Sequence, residues 1–127
     1  MPEGAFDIFD KFSQSARNVA LGAEQVARGM DSQVSSEHFL LSLCVSKGTL
    51  SYDILKDNLI SADQIRLVMH VKPTSKGNIE GIADEGKRIL KKSVLIAAKY
   101  KHLSVDSEHI LMSCISDKTI NSYNIIV

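Results

Sequence analysis

The sequence predicts an all-α fold made of two tandem copies of one helical unit, and three observations carry that expectation. Apolar residues recur at the three-and-four spacing of helix faces nearly throughout, with no convincing alternation of the strand kind. The stretch VSSEHFLLSL at 34–43 returns as VDSEHILMSC at 105–114, 71 residues later. Sliding 80–127 over 9–56 at that offset, without a gap, gives twelve identities. Arg17 meets Arg88, Ala27 meets Ala98 and Val34 meets Val105; Ser36, Glu37 and His38 meet Ser107, Glu108 and His109. The rest pair Leu40, Ser42, Lys47, Ser51, Tyr52 and Ile54 with Leu111, Ser113, Lys118, Ser122, Tyr123 and Ile125.

The elements follow in order. Ala16, Val19, Ala20, Ala23, Val26 and Ala27 form one face of a first helix, with Ser13 as its N-cap and Gly29 near its end. A second helix is expected from Ser36 through Cys44, stopping near Lys47-Gly48, and a third carries Leu50, Ile54 and Leu55. Ser61 caps a fourth, which holds Ile65, Val68 and Met69. The segment KPTSKGNIEGI at 72–82 breaks the rhythm with one Pro and two Gly and reads as a connector. Helical spacing resumes at Ile89, Leu90, Val94, Ala97 and Ala98; the second SEH triplet opens a further helix, and 120–126 a last one. One domain is therefore expected over 1–127, with repeat one at about 9–71, a linker at about 72–83 and repeat two at about 84–127. Each repeat has about four helices, except that nothing in repeat two answers to 57–71, so it stops one helix short. That shortfall suggests a chain cut from a longer parent.

Composition excludes several classes of function. Fifteen basic residues balance fifteen acidic ones, which predicts no broad grip on nucleic acid or anionic membrane. The cluster Lys87, Arg88, Lys91 and Lys92 reads as a solvated helix face. The start, MPEGAFDIFDKF, lacks the pattern of a secretory signal, and no apolar run reaches the roughly 20 residues of a membrane span. Cys44 and Cys114 lie within apolar helical patterns and read as buried reduced thiols, which fits a cytoplasmic setting or an organelle matrix or stroma of bacterial origin.

The repeated triplet admits two readings. As helix punctuation, Ser caps, Glu complements the positive helix end and His ties down a loop. As a binding site, a carboxylate at a helix start can hold guanidinium donors while hydroxyls and backbone N–H groups receive an anion. Metal binding is not expected, because Glu37 and His38 are adjacent and point apart on a helix, and no Cys or His cluster has zinc spacing. His70 and His102 read as helix-end or surface residues. Nothing brings Glu37 and Glu108 together as an acid/base pair. Tyr52 and Tyr123, in register, are expected to pack beneath their repeats or to form a protein-contact patch.

An all-helical duplication with Phe12-Ser13…Ala16 opening its first helix and Ser36-Glu37-His38-Phe39-Leu40 its second resembles the Clp N-terminal domain family, the substrate- and adaptor-binding module of ClpA-, ClpB- and ClpC-type AAA+ unfoldases. The second half offers Ala83-Asp84…Lys87 and Ser107-Glu108-His109-Ile110-Leu111 at the same places, so the resemblance covers about 9–127. It implies a pseudo-twofold bundle, normally of eight helices, tethered to ATPase rings. Its partners would be substrate and adaptor proteins, an ATPase ring and, through the ring, a protease. The chain holds no G-x-x-x-x-G-K-[ST] loop, so it is read as no enzyme and needs no cofactor, ATP being expected only in separate ATPase domains. In ClpC-type members the triplet Glu helps to read phosphorylated arginine. Carried over, Glu37 grips the guanidinium with Ser13 and Ser36 near the phosphate, and Glu108 with Ser107 does so in the second half, where Asp84 stands at the place of Ser13. Glu37 is then the favoured carboxylate. Two alternatives stand beside this: a stand-alone accessory protein docking on a Clp machine, and a small helical enzyme or regulator sharing the bundle. The isolated domain is expected to be monomeric, without nucleic-acid or membrane partners.

Overall fold

The computed structural model describes residues 9–69 and 82–126, so His70 and most of the 72–83 connector lie outside the described residues. Seven helices are described: α1 Gln14–Gly29, α2 Ser36–Val45, α3 Leu50–Asp57, α4 Ala62–Val68, α5 Asp84–Lys99, α6 Ser107–Cys114 and α7 Asn121–Ile126. The fold is all-α, with four helices in the first repeat and three in the second.

The centre is α2, which is buried on every side from Ser36 to Cys44, its polar Ser36, Glu37, His38 and Ser42 included. It touches every other described helix, as a helix must if none of its faces is to meet water. Helix α1 lays Ala16, Val19, Ala23 and Ala27 against it, four small or short side chains that let the two axes come close. At Gly22 the approach is tighter still: a Cβ there would stand 2.5 Å from Ser42 Oγ. Ser42 Oγ in turn donates to the Val19 carbonyl at 2.6 Å, and Ser113 Oγ does the same to Ile89 at 2.9 Å in the second repeat. Ile65 of α4 is buried and reaches the same core.

These twin bonds correct the register. Ser42 and Ser113 are 71 apart, but Val19 and Ile89 are 70 apart. The first helices of the two repeats therefore match at 70, the later ones at 71, and one residue has been inserted in the second loop. The loop geometry locates it. Asp31 (φ 52°) and Lys101 (φ 59°) are equivalent left-handed residues closing α1 and α5. Each is followed by a bond back to a buried alanine: Ser32 N–H to Ala27 O and His102 N–H to Ala97 O, both 2.9 Å. From there to Val34 the first loop has Ser32 and Gln33, whereas the second has His102, Leu103 and Ser104 before Val105. The Arg17/Arg88 and Ala27/Ala98 identities are thus not structural equivalences, and the residue in the place of Ser13 is Ala83, not Asp84.

The halves are joined crosswise. The segment before α1 bridges the segment before α6, Phe12 with Val105, and the segment before α5 bridges the segment before α2, Ile82 with Val34. Ser13 N–H donates to Val105 O and Val105 N–H to Lys11 O, each at 2.7 Å, while Ala83 N–H donates to Val34 O at 2.8 Å. Gly86 sits under the second junction, where a Cβ would lie 2.5 Å from Val34 O.

Candidate functional site

Each triplet begins one residue inside its helix, not on the cap. Ser35 is the N-cap of α2 and Asp106 that of α6, so Ser36 and Ser107 are first helical residues. The histidines complete the caps. Ser35 N–H donates to His38 Nδ1 at 3.0 Å and Asp106 N–H to His109 Nδ1 at 2.8 Å, the place that Glu or Gln takes in an ordinary capping box. An accepting Nδ1 puts the proton of a neutral ring on Nε2. His102 is exposed just past the end of α5, as expected, and its Nδ1 lies 2.6 Å from His109 Nε2, because the longer second loop brings it over the cap. His38 Nε2 is buried with no partner among the described residues, and burial lowers the His38 pKa to about 4, leaving the ring neutral.

With the helices crosswise, the site residues regroup. Ser13 Oγ donates to Asp106 Oδ1 at 2.9 Å while accepting from Ala16 N–H, so the start of α1 adjoins the second triplet rather than the first. Ser36 Oγ donates to Glu85 Oε1 at 2.5 Å and accepts from Ser122 N–H at 3.2 Å, which ties the first triplet to α5 and α7. Two composite ends result. One holds Ser13, Asp106, Ser107 and Glu108; the other holds Ser36, Glu37 and Glu85. The two glutamates differ in access. Glu37 is wholly buried, whereas the Glu108 side chain keeps 28% of its surface open and lies 4.0 Å from His109 Nδ1. The sequence carries a signal for the caps, since S-S-E-H and D-S-E-H both place a capping residue three before the His; it carries none for the crosswise pairing.

The other candidates fall into place simply. Tyr52 and Tyr123 are half-buried, and Tyr123 packs on the core. Cys44 and Cys114 are buried free thiols whose pKa values desolvation raises to about 11 and about 12, so neither forms a thiolate at neutral pH. Among the described residues no group of three or more His, Cys, Asp or Glu could hold a metal ion, and no helix is long and apolar enough to cross a membrane.

Comparison with known proteins agrees with this architecture. No curated protein matches the chain. Among solved structures, it is similar to the N-terminal domain of the caseinolytic protease associated chaperone ClpD from Arabidopsis thaliana, with 15% identity, a TM-score of 0.69, and coverage of 93% of this chain and 86% of that one. It is also similar to a structure from a malarial protein secretion system, at 21% identity and TM-score 0.66, covering 91% of this chain and 82% of the other. At such identities the likeness speaks for the fold. The family match is separate and spans residues 11–125, almost the whole described bundle: the chain belongs to the Clp repeat (R) N-terminal domain family.

Proposed function

We propose that this domain captures substrate and adaptor proteins for a Clp-type ATP-dependent unfoldase. The observation that carries the reading is the family match over 11–125, a family of non-catalytic, substrate-binding Clp N-domains. Phosphoarginine is the client mark that the composite end at Glu108 fits. Its carboxylate is the accessible one of the pair, and the N-termini of α1 and α6 converge on Ser13 and Asp106 beside it. Helix starts and a hydroxyl suit a phosphate, and the carboxylate suits the guanidinium. The favoured carboxylate thus becomes Glu108 instead of Glu37, because the first is partly open to solvent and the second is wholly buried. The Asp106 carboxylate opposes a phosphate at the same helix starts, so this site is a weak reader in the native sequence. An NMR titration of the labelled domain tests both levels. A reduced, carboxymethylated unfolded protein should give saturable shifts; their absence rejects client capture. An arginine-phosphorylated peptide, but not its unmodified twin, should shift residues around 13 and 106–109. Binding should be lost in Glu108→Ala, survive Glu37→Gln and tighten in Asp106→Asn. A response that follows Glu37 instead rejects the placement.

A further inference from the structure

The second repeat carries a groove for which the first has no chemical equivalent. It lies between the middle of α5 and the loop that links α6 to α7, with a volume of about 210 Å³. Ile89 and Ile120, both buried, form its floor, and Leu95, 68% exposed, forms one wall. Arg88, Lys91 and Lys92 stand along the rim. Arg88 is occupied by Asp117 and Thr119 of the facing loop. Lys91 and Lys92 have no carboxylate in ion-pair range among the described residues. The combination is thus a trough with a buried apolar floor, flanked by two cations at consecutive helix positions that have no acidic partner among the described residues.

The pseudo-twofold relation makes this a difference and not a property of the fold. At the register of 70, the places of Arg88, Lys91, Lys92 and Leu95 are held in α1 by Asn18, Leu21, Gly22 and Gln25. None of these is charged, and Gly22 brings α2 close where Lys92 instead projects outward. A duplicated helix face is cationic on one side only, beside one apolar side chain, Leu95, that stays open to solvent.

We propose that this groove binds an acidic, leucine-bearing segment of a partner protein. An aliphatic side chain enters the trough over Ile89 and Ile120, and neighbouring carboxylates pair with Lys91 and Lys92. Charge complementarity names the occupant: the chain has zero net charge, so no general field draws polyanions, and an apolar floor rewards a side chain rather than a phosphodiester backbone. The inference rests on the protein-capture reading and deepens it by supplying a second contact, with a lining separate from the Ser13–Glu108 end. It predicts one such site per domain, despite the duplication.

The test is an NMR titration of the labelled domain with a hexapeptide of sequence Asp-Leu-Asp-Glu-Leu-Asp, blocked at both ends. Controls are the Asn/Gln amide analogue and a short single-stranded oligonucleotide. Saturable one-to-one shifts confined to residues 88–95 and 113–120 are expected, weakened about tenfold in the double variant Lys91→Glu/Lys92→Glu and by rising salt. Both lysines are exposed, so that variant should unfold at the native temperature, which a thermal melt checks. Its response to an arginine-phosphorylated peptide should stay unchanged, which separates this groove from the other end. Equal binding of the amide analogue, stronger binding of the oligonucleotide, or no saturable shift in the folded domain overturns the proposal.

Discussion

The two repeats share the devices that satisfy the backbone and differ in what they show to solvent. Both close their long helix with a left-handed residue and a bond to a buried alanine. Both hang the next helix from a histidine-completed cap, and both tie their two helices with a serine-to-carbonyl bond. Around that common frame, His38 is enclosed where His109 has a histidine partner, Ala16 stands where Gly86 lies, and Gly22 where Lys92 projects. Buried backbone groups have few ways of being paired, so both copies use the same ones. Surface positions are free of that demand, and recognition chemistry is expected where the copies diverge.

The largest expected effect sharpens the contrast at the histidines. His38 is fully buried and its pKa is lowered from 6.5 to about 4 by desolvation. A base with a depressed folded pKa takes its proton first in the unfolded chain. Stability is therefore whole above pH 6.5, and falls as the pH drops from there towards 4. The full loss from this one ring is about 3 kcal/mol. His38→Gln keeps an acceptor at the third helical position, so the cap survives while the titration goes. Chemical denaturation between pH 7 and 4 should show the wild type losing more stability than His38→Gln by about that amount. Parallel curves would mean that the ring is not held neutral by the fold.

Next comes the pair of junctions. A methyl group at Gly86 meets the Val34 carbonyl at 2.5 Å and Ile82 Cγ2 at 2.7 Å, and one of those contacts is backbone already bonded to Ala83. Gly86→Ala should cost about 2–3 kcal/mol, against the gain that alanine brings to an ordinary helix position. The converse change at the equivalent place, Ala16→Gly, relieves nothing and should cost about 1 kcal/mol through backbone entropy. Urea midpoints of the two variants test the asymmetry. If Gly86→Ala is stabilising, the second junction is looser than the first.

The helices themselves were legible from apolar spacing and caps: Ser13 and Ser61 do cap α1 and α4, and the duplication is real. Register within the duplication was legible only in part. Two coincidental identities, at Arg17/Arg88 and Ala27/Ala98, masked a one-residue loop insertion that shifts the whole first helix, and with it the counterpart of Ser13. The crosswise bridges at Phe12–Val105 and Ile82–Val34 involve single residues in extended backbone, too short to leave a period. Burial of Glu37 was hidden for a different reason. Charged side chains are rarely fully buried, and neither the punctuation reading nor the binding reading of the triplet calls for a buried Glu. The cationic cluster on α5 was visible as charge, but its apolar floor depends on Ile120 from a distant segment.

The smallest expected effect on stability bears most directly on the divergence between repeats. Asp117 is held down to about pKa 2 first by its bonds from Thr119, whose N–H and hydroxyl meet Oδ1 at 2.9 and 2.6 Å, and then by Arg88. An asparagine retains an acceptor oxygen for both Thr119 donors, and its amide NH2 replaces the Oδ2 that accepts from Arg88, which removes that ion pair at the exposed rim. Asp117→Asn should therefore change the unfolding free energy by no more than about 0.5 kcal/mol. Its consequence lies in the groove, where it frees a third cation beside Lys91 and Lys92. Affinity for the acidic hexapeptide should rise a few-fold, and its salt dependence should steepen, with no change at the Ser13–Glu108 end. An unchanged or weaker affinity would show that Arg88 and Asp117 act as a closed pair apart from the groove, leaving the two lysines as its whole electrostatic content.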